Sequence, residues 1–143
     1  MNFAKHVHVM VRFAEILLLA SSLMLLPLKV GAQNGYDVFI PIAKYISQGD
    51  ADSLSNWFAD NLEVTVSSTT NDSSRKQATQ IVKTFFSKHN PRSFDITHTA
   101  SNGNAKYALG TLNAGGETYM VTLFVCLTGD KYKIQQIRIN TIQ

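Results

Sequence analysis

The chain is poor in cysteine and lacks a long apolar run, and each shortage excludes a class of protein. Cys126 is the one cysteine among 143 residues, so no disulfide can form within the chain. It lies among apolar neighbours, where a cysteine is typically a small buried hydrophobe. Glu15 and Lys29 bound the longest apolar stretch, which is shorter than the roughly 20 residues that a membrane-spanning helix needs.

Residues 1–32 have the pattern of an export signal. Lys5 and Arg12 form a basic start, Ile16–Leu28 is a short leucine-rich run, and Val30-Gly31-Ala32 supplies small residues for a signal peptidase. The sequence therefore predicts cleavage after Ala32 and a periplasmic or secreted protein. The alternative is a permanent membrane anchor, which the shortness of the apolar run disfavours.

Few positive charges remain once this segment is removed. The chain has 13 Lys and Arg against 10 Asp and Glu, and Lys5, Arg12, Lys29 and Glu15 leave with the signal, so residues 33–143 carry a net charge of about +1. Arg75-Lys76 is then the one adjacent basic pair. Since no basic stripe is left to follow phosphates, nucleic-acid binding is disfavoured.

The remaining 111 residues suit one domain, residues 33–143, with no repeat or interdomain linker. After processing, His89 and His98 are the only histidines, and they do not have metal-ligand spacing. Cys126 has no evident activating base nearby in the sequence. We therefore expect no metal, no cofactor and no membrane contact after signal removal.

The domain opens with two short helices that meet at Gly49-Asp50. Gly49 is a helix stop, and Asp50 or Asp52 can cap the second helix. Helical spacing in that second helix extends to Phe58, and Asp60-Asn61 is typical of a turn before a strand. The apolar positions of the two helices are Val38, Phe39, Ile42, Ala43 and Ile46, then Leu54, Trp57 and Phe58.

A polar loop at Ser67–Ser74 is predicted next, followed by the longest helix. Ser74 and Gln77 fit a capping box, and Asn90-Pro91 ends the helix. Its apolar side chains recur at i, i+3, i+4, i+7 and i+8, so the stripe must lie on a broad surface such as a curved sheet. The stripe consists of Ala78, Ile81, Val82, Phe85 and Phe86.

Four strand-like runs with short connections complete the chain and predict an antiparallel meander. The third run is the most apolar and is expected to be central. In the last run the apolar positions change parity between Ile134 and Ile137, which indicates a twist or a bulge. The runs are Ser93–Ala100, Ala105–Asn113, Glu117–Thr128 and Lys131–Ile139.

The order helix, helix, strand, long helix and four strands resembles the nuclear-transport-factor-two-like superfamily, also called cystatin-like or SnoaL-like. More narrowly, the segments VFIPIAKYISQGDADSLSNWFADNLEV, KYALGTLNAGGETYMVTLFV and YKIQQIRI are similar to a family of small exported bacterial proteins known as a domain of unknown function. The resemblance covers about residues 36–140. It implies an α+β cone, in which the helices pack on a curved antiparallel sheet, and it implies no catalytic residues.

A pocket often opens between helix and sheet in this superfamily, and strand alternation offers polar groups to line it here. His98 would share a face with Phe94 and Ile96, Tyr107 with Leu109, and Tyr119 with Val121 and Leu123. The alternative is that these side chains belong to the core or its rim. If a small-molecule site exists, we expect the cone mouth to be lined by Trp57, His98, Tyr107 and Tyr119, and its ligand to be neutral or weakly polar.

Three roles stay open on the sequence: a non-catalytic module that binds a small molecule, one that binds a protein partner, and a small pocket enzyme of the ketosteroid isomerase or SnoaL-like type. A homodimer through the outer sheet face is one form of partnering, and Thr118, Met120, Thr122 and Phe124 would lie on that face. A side-chain-filled cone would favour partnering, whereas an open pocket with a buried carboxylate would favour chemistry.

Overall fold

The computed structural model describes residues 38–142. They form two helices, two strands, a third helix and four further strands, in that order. The predicted signal at residues 1–32 lies outside the described residues. None of the described helices is long and apolar enough to span a bilayer. The helices are α1 (Phe39–Gln48), α2 (Ala51–Ser55) and α3 (Arg75–Lys88). The strands are β1 (Phe58–Val66), β2 (Thr69–Ser74), β3 (Pro91–Asn102), β4 (Ala105–Ala114), β5 (Glu117–Thr128) and β6 (Lys131–Thr141).

The predicted helix boundaries around Gly49 and Ser74 are confirmed. Gly49 ends α1 with a φ of 67°, a left-handed conformation that glycine adopts without steric cost. The Asp50 carboxylate accepts a hydrogen bond from the backbone N–H of Ser53 at 3.0 Å and so caps α2. Ser74 and Gln77 form the reciprocal capping box at the start of α3.

The sheet has the order β2-β1-β6-β5-β4-β3, with the helices packed on its inner face. Strands β3 to β6 form the predicted antiparallel meander, and β5 lies between β6 and β4 as expected for the most apolar strand. The pair β1–β6 is parallel, which makes the sheet mixed. This pairing joins residues from the two ends of the domain.

The predicted loop at Ser67–Ser74 is wrong, because Thr69–Ser74 forms β2 and pairs with β1. Ser67 and Ser68 take φ values of 48° and 72°, and they make the two-residue turn between these strands. The hydroxyl groups of Thr65 and Thr70 lie 2.9 Å apart across the pair. Polar residues extend the sheet here because β1 offers them backbone partners, which the local composition does not reveal.

The helix expected to reach Phe58 and the turn expected at Asp60-Asn61 are also wrong. The helix α2 ends at Ser55, and the backbone N–H of Ile134 donates to the Trp57 carbonyl oxygen at 2.6 Å. Phe58 then pairs with Ile134 at the start of β1, and the β1–β6 register shifts before Glu63. Asp60-Asn61 therefore forms an irregularity within the strand instead of a turn before it.

The core is built from the inner sheet face and the apolar stripe of α3. The predicted stripe is confirmed, because Ala78, Val82, Phe85 and Phe86 are buried and Ile81 is half-buried. Apolar side chains fill the space between helices and sheet. The largest of these fully buried side chains are Phe58, Ile42, Ile46, Leu54, Leu112, Leu123, Ile134, Ile137 and Ile139, with Tyr119 among them.

The predicted change of face in the last strand is confirmed as a bulge. Phe124 pairs with Gln136 and Val125 pairs with Ile134, so Gln135 is the extra residue on β6. The bulge lets Ile134 and Ile137 both point into the core although an odd number of positions separates them.

We expect Phe85→Ala to lower the free energy of unfolding by about 3–5 kcal/mol, because the ring is buried and its removal leaves a cavity. The matched control is Lys76→Ala, an exposed position on the same helix, which should change stability by less than about 0.5 kcal/mol. Urea unfolding of both variants measures the difference. A loss below about 1 kcal/mol for Phe85→Ala would contradict the packing of this helix on the sheet.

Candidate functional site

The four residues predicted to line one pocket lie in different parts of the domain. Tyr119 is buried on the inner sheet face opposite Leu112, whereas Tyr107 pairs with Phe124 on the outer face. Directly opposed residues of an antiparallel pair share a face, so the two tyrosines point away from each other. The structure does not bring Trp57, His98, Tyr107 and Tyr119 together in one cavity mouth.

His98 lies on the outer face because of a second bulge. Ile96 pairs with Gly110 and His98 with Leu109, so Thr97 is the extra residue on β3. His98 therefore does not share the inner face with Phe94 and Ile96 as the alternation predicted. Its Nδ1 lies 3.1 Å from the Thr97 hydroxyl oxygen, and the side chain is exposed.

Trp57 borders a groove at the junction of α2 and β1. The groove has a volume of about 530 Å³, within the range of small-molecule sites. Two aromatic rings and two ammonium groups line it. We call it the basic groove, and its lining residues are Val38, Asn56, Trp57, Lys131, Tyr132 and Lys133.

Positive charge is concentrated around this groove. Lys133 donates to the Asn56 carbonyl oxygen at 2.7 Å, and the Lys106 ammonium lies 5.0 Å from the centre of the Tyr132 ring. Burial lowers the pKa of Lys133, and the positive charges of Arg75 and Lys131 lower it further, against the opposing effect of Asp60. Burial is therefore the main reason for the lowered pKa of Lys133, and the neighbouring cations add to it.

The Tyr119 hydroxyl joins a polar cluster at the end of α3. It donates to the Glu117 carboxylate at 2.8 Å and lies 3.1 Å from Nδ1 of His89. The Phe85 ring packs edge-on against the Tyr119 ring, with centroids 5.0 Å apart, and lies 4.9 Å from the His89 ring. Burial, with help from the hydrogen bond to Glu117 and its charge, raises the pKa of Tyr119 to about 12. Tyr119 is therefore a core residue whose hydroxyl is fixed by hydrogen bonds, and this hydroxyl is a weaker acid than that of an ordinary tyrosine.

A second groove of about 460 Å³ runs beside this cluster along α3. Of the three polar residues of the cluster, Tyr119, Glu117 and His89, His89 also lines the groove. Its lining is mixed in polarity and comprises Val66, Ser67, Gln80, Ile81, Thr84, Phe85, Lys88 and His89.

Tyr107 belongs to an exposed aromatic surface on the outer sheet face. Its ring stacks on Phe124 with the centroids 4.7 Å apart, and it is 44% exposed. Met120 lies on the same face of β5 and is 43% exposed, as its parity predicted. We call Tyr107, Met120 and Phe124 the outer-face patch.

Sequence reasoning missed Lys131, Tyr132 and Lys133 as groove residues, and it did not connect His89 with Tyr119. The three groove residues could have been found from the sequence Lys-Tyr-Lys directly after the Gly129-Asp130 turn, because it places two ammonium groups and one aromatic ring at the start of a strand. Residues 38–142 contain no cluster of three or more His, Cys, Asp or Glu side chains arranged to hold a metal ion. Cys126 is half-buried and unpaired.

The model of a domain of unknown function, DUF4783, matches residues 39–140. The chain belongs to this family. Members of DUF4783 with solved structures have the same fold: one from Bacteroides ovatus is 22% identical with a TM-score of 0.70, covering 73% of this chain and 94% of its own. One from Bacteroides uniformis is 21% identical with a TM-score of 0.70, covering 72% and 95%. No curated protein matches the sequence.

The DUF4783 fold is also similar to that of nuclear-transport-factor-two-like proteins. A putative dehydratase of that family from Streptomyces avermitilis aligns with a TM-score of 0.56 at 13% identity, covering 72% of this chain and 89% of its own. At this identity the likeness extends to the fold alone. The predicted fold class and family are thus confirmed.

We expect the stability of the protein to fall between pH 10 and pH 12 in a way that depends on Tyr119. The unfolded tyrosine ionises near pH 10 and the folded one near 12, so within this window the unfolded chain releases its proton first and unfolding becomes easier. Tyr119→Phe should cost roughly 1 kcal/mol at neutral pH through its lost hydrogen bonds, and it should show a flatter decline across the alkaline window. Urea unfolding at a series of pH values measures both effects.

Tyr107→Phe is the control for this experiment, because it removes a phenolic hydroxyl from an exposed position. It should retain the alkaline decline of the wild type. An equal decline in the Tyr119→Phe and Tyr107→Phe variants would contradict the assignment to Tyr119.

Proposed function

We propose that this DUF4783 protein is an exported, non-catalytic binding module that forms a homodimer through its outer sheet face. The observation that carries the proposal is the contrast between a filled interior and an exposed apolar surface. The inner space is occupied by aliphatic and aromatic side chains, while Met120 and Tyr107 remain 43% and 44% exposed on the opposite face. Large apolar side chains exposed together are typical of interaction surfaces.

The interior of the described domain offers little for chemistry. The buried polar groups of the described part belong to Thr65, Ser73 and the hydroxyl-bearing Tyr119, and no Asp or Glu is among its buried residues. Every buried side-chain nitrogen or oxygen there has a hydrogen-bond partner. A pocket enzyme of the ketosteroid isomerase type relies on a carboxylate held in an apolar pocket. The binding role is therefore the one that the geometry supports.

The outer face suits a second copy of the same chain. The outward side chains of β4 and β5 from Tyr107 to Asn113 and from Thr118 to Phe124 are uncharged, so two such faces do not repel each other. On the neighbouring strands Arg138 and Glu63 form an ion pair with 3.5 Å between their atoms, which balances the charge at the border. Dimers are the commonest oligomers, and their interfaces are self-complementary.

The size of the face is also sufficient. Four strands spaced by about 4.8 Å, each about ten residues long at roughly 3.3 Å per residue, present roughly 600 Å² in projection. The smallest stable interfaces bury roughly that area on each partner. The outer-face patch would lie near the centre of such an interface, where aromatic and methionine side chains contribute most.

We expect Met120→Glu to convert the dimer into a monomer, because the substitution places like charges against each other across a two-fold axis. Sedimentation equilibrium of the mature protein measures the oligomeric state. The control is Ile40→Glu, which introduces the same charge at an apolar position on α1 that is 66% exposed. This control should stay dimeric.

Circular dichroism of both variants should match the wild type, since neither position is buried. A wild-type protein that sediments as a monomer at high concentration would contradict the dimer. A Met120→Glu protein that remains dimeric would contradict the outer face as its interface.

The export part of the proposal rests on the sequence of residues 1–32. Expression of the full chain in a bacterium with a periplasm should yield a protein whose first residue is Gln33, as N-terminal sequencing of the exported fraction would show. The control is Ala32→Arg, which places a bulky charged residue where the signal peptidase requires a small one, and it should accumulate uncleaved. A cytoplasmic, full-length wild-type product would contradict export.

A further inference from the structure

The basic groove combines aromatic walls with positive charge. Trp57 and Tyr132 supply aromatic walls, and both rings are half-buried and pack in part on the core. Lys131 and Lys133 supply positive charge at its border. The groove shares no lining residue with the outer-face patch.

Lys131 and Lys133 are the charged residues among those that line the groove. Within residues 38–142, Arg75 pairs with Asp60, Lys83 with Asp52 and Arg138 with Glu63, and neither Lys131 nor Lys133 forms an ion pair. Asp60 is the carboxylate that acts on Lys133, and it lies 2.9 Å from the Arg75 guanidinium group. A bound anion would place negative charge beside these two ammonium groups.

The position of Lys133 is fixed, which makes the groove a prepared site. Its ammonium donates to the Asn56 carbonyl oxygen at 2.7 Å, and this bond uses one of three donors and leaves two for a ligand. Tyr132 packs in part on the core, and the Lys106 ammonium lies 5.0 Å from its ring centre. Aromatic walls that are already placed lose little conformational freedom on binding.

We infer that the basic groove is a binding site for a small aromatic carboxylate, whose ring packs against Trp57 and Tyr132 and whose carboxylate accepts hydrogen bonds from Lys131 and Lys133. The volume of about 530 Å³ accommodates a single ring with a short acidic side chain. This ligand class differs from the neutral one expected from the sequence, because the two lysines add charge to the aromatic walls. The inference goes beyond the proposed dimer and does not depend on it.

Trp57 is the one tryptophan of the chain, so its fluorescence reports on this groove without background from another indole. The test titrates the mature protein with phenylacetate and, separately, with phenylacetamide, which has the same ring and nearly the same shape but no charge. We expect phenylacetate to change Trp57 emission in a saturable way with a millimolar dissociation constant, and phenylacetamide to bind at least about tenfold more weakly. Added salt should weaken phenylacetate binding.

Two lysine variants test the charged part of the site. Lys131→Gln changes an exposed residue and should weaken phenylacetate binding about three- to fivefold, the effect of one partly solvated charge pair. Lys76→Gln is its control, since it removes the same charge from an exposed position outside the groove, and it should bind as the wild type does. Lys133→Gln should weaken binding at least as much, and its unfolding curve shows whether loss of the bond to Asn56 has altered the fold.

The aromatic part is tested by Trp57→Phe and Trp57→Ala, with binding followed by isothermal titration calorimetry. The phenylalanine variant should retain binding within about threefold, whereas the alanine variant should lose about tenfold or more. Inorganic phosphate, an anion without a ring, should compete poorly.

Several results would overturn the inference. They are the absence of saturable binding, equal binding of phenylacetate and phenylacetamide, equal effects of Lys131→Gln and Lys76→Gln, and equally strong competition by phosphate. Each result would show that the groove does not recognise the carboxylate, the aromatic ring or both.

Discussion

The packing of the α3 stripe on the inner sheet face is the contact on which the rest of the domain depends. One side of the helix is buried through Val82, Phe85 and Phe86. The strands direct every second side chain toward this side of the helix. This contact decides which face of the sheet is inner, and it therefore decides by exclusion that Met120 and Phe124 face outward. The same Phe85 ring positions His89 over Tyr119 at the helix end.

Two bulges and one parallel strand pair determine which side chains reach the surface of the sheet. The extra residue Thr97 turns His98 outward, and the extra residue Gln135 lets β6 bury isoleucines on both sides of the bulge. The parallel pairing of β1 with β6 places Phe58 opposite Ile134, and this brings Trp57 beside Lys133. The basic groove is thus a product of the mixed sheet, because an all-antiparallel meander would not join these two segments.

In this chain apolar side chains fill the inner space of the described domain, so both grooves lie at its margins. We propose that recognition takes place at two surfaces: the outer sheet face, whose outward side chains on β4 and β5 are uncharged, and the basic groove, which is lined by aromatic rings and ammonium groups. The outer-face patch and the groove share no residue.

The sequence by itself determined the helix stop at Gly49, the capping box at Ser74, the α3 stripe and the change of face in β6, because these follow from local periodicity and capping chemistry, and its resemblance to known proteins indicated the family. Only the tertiary structure decided that Thr69–Ser74 is a strand, that His98 and Tyr107 face outward, and that Trp57 meets Lys131 and Lys133. Polar segments become strands when a neighbouring strand offers backbone partners, and a single extra residue reverses a side chain's face. Both effects depend on partners distant in sequence, so no local pattern contains them.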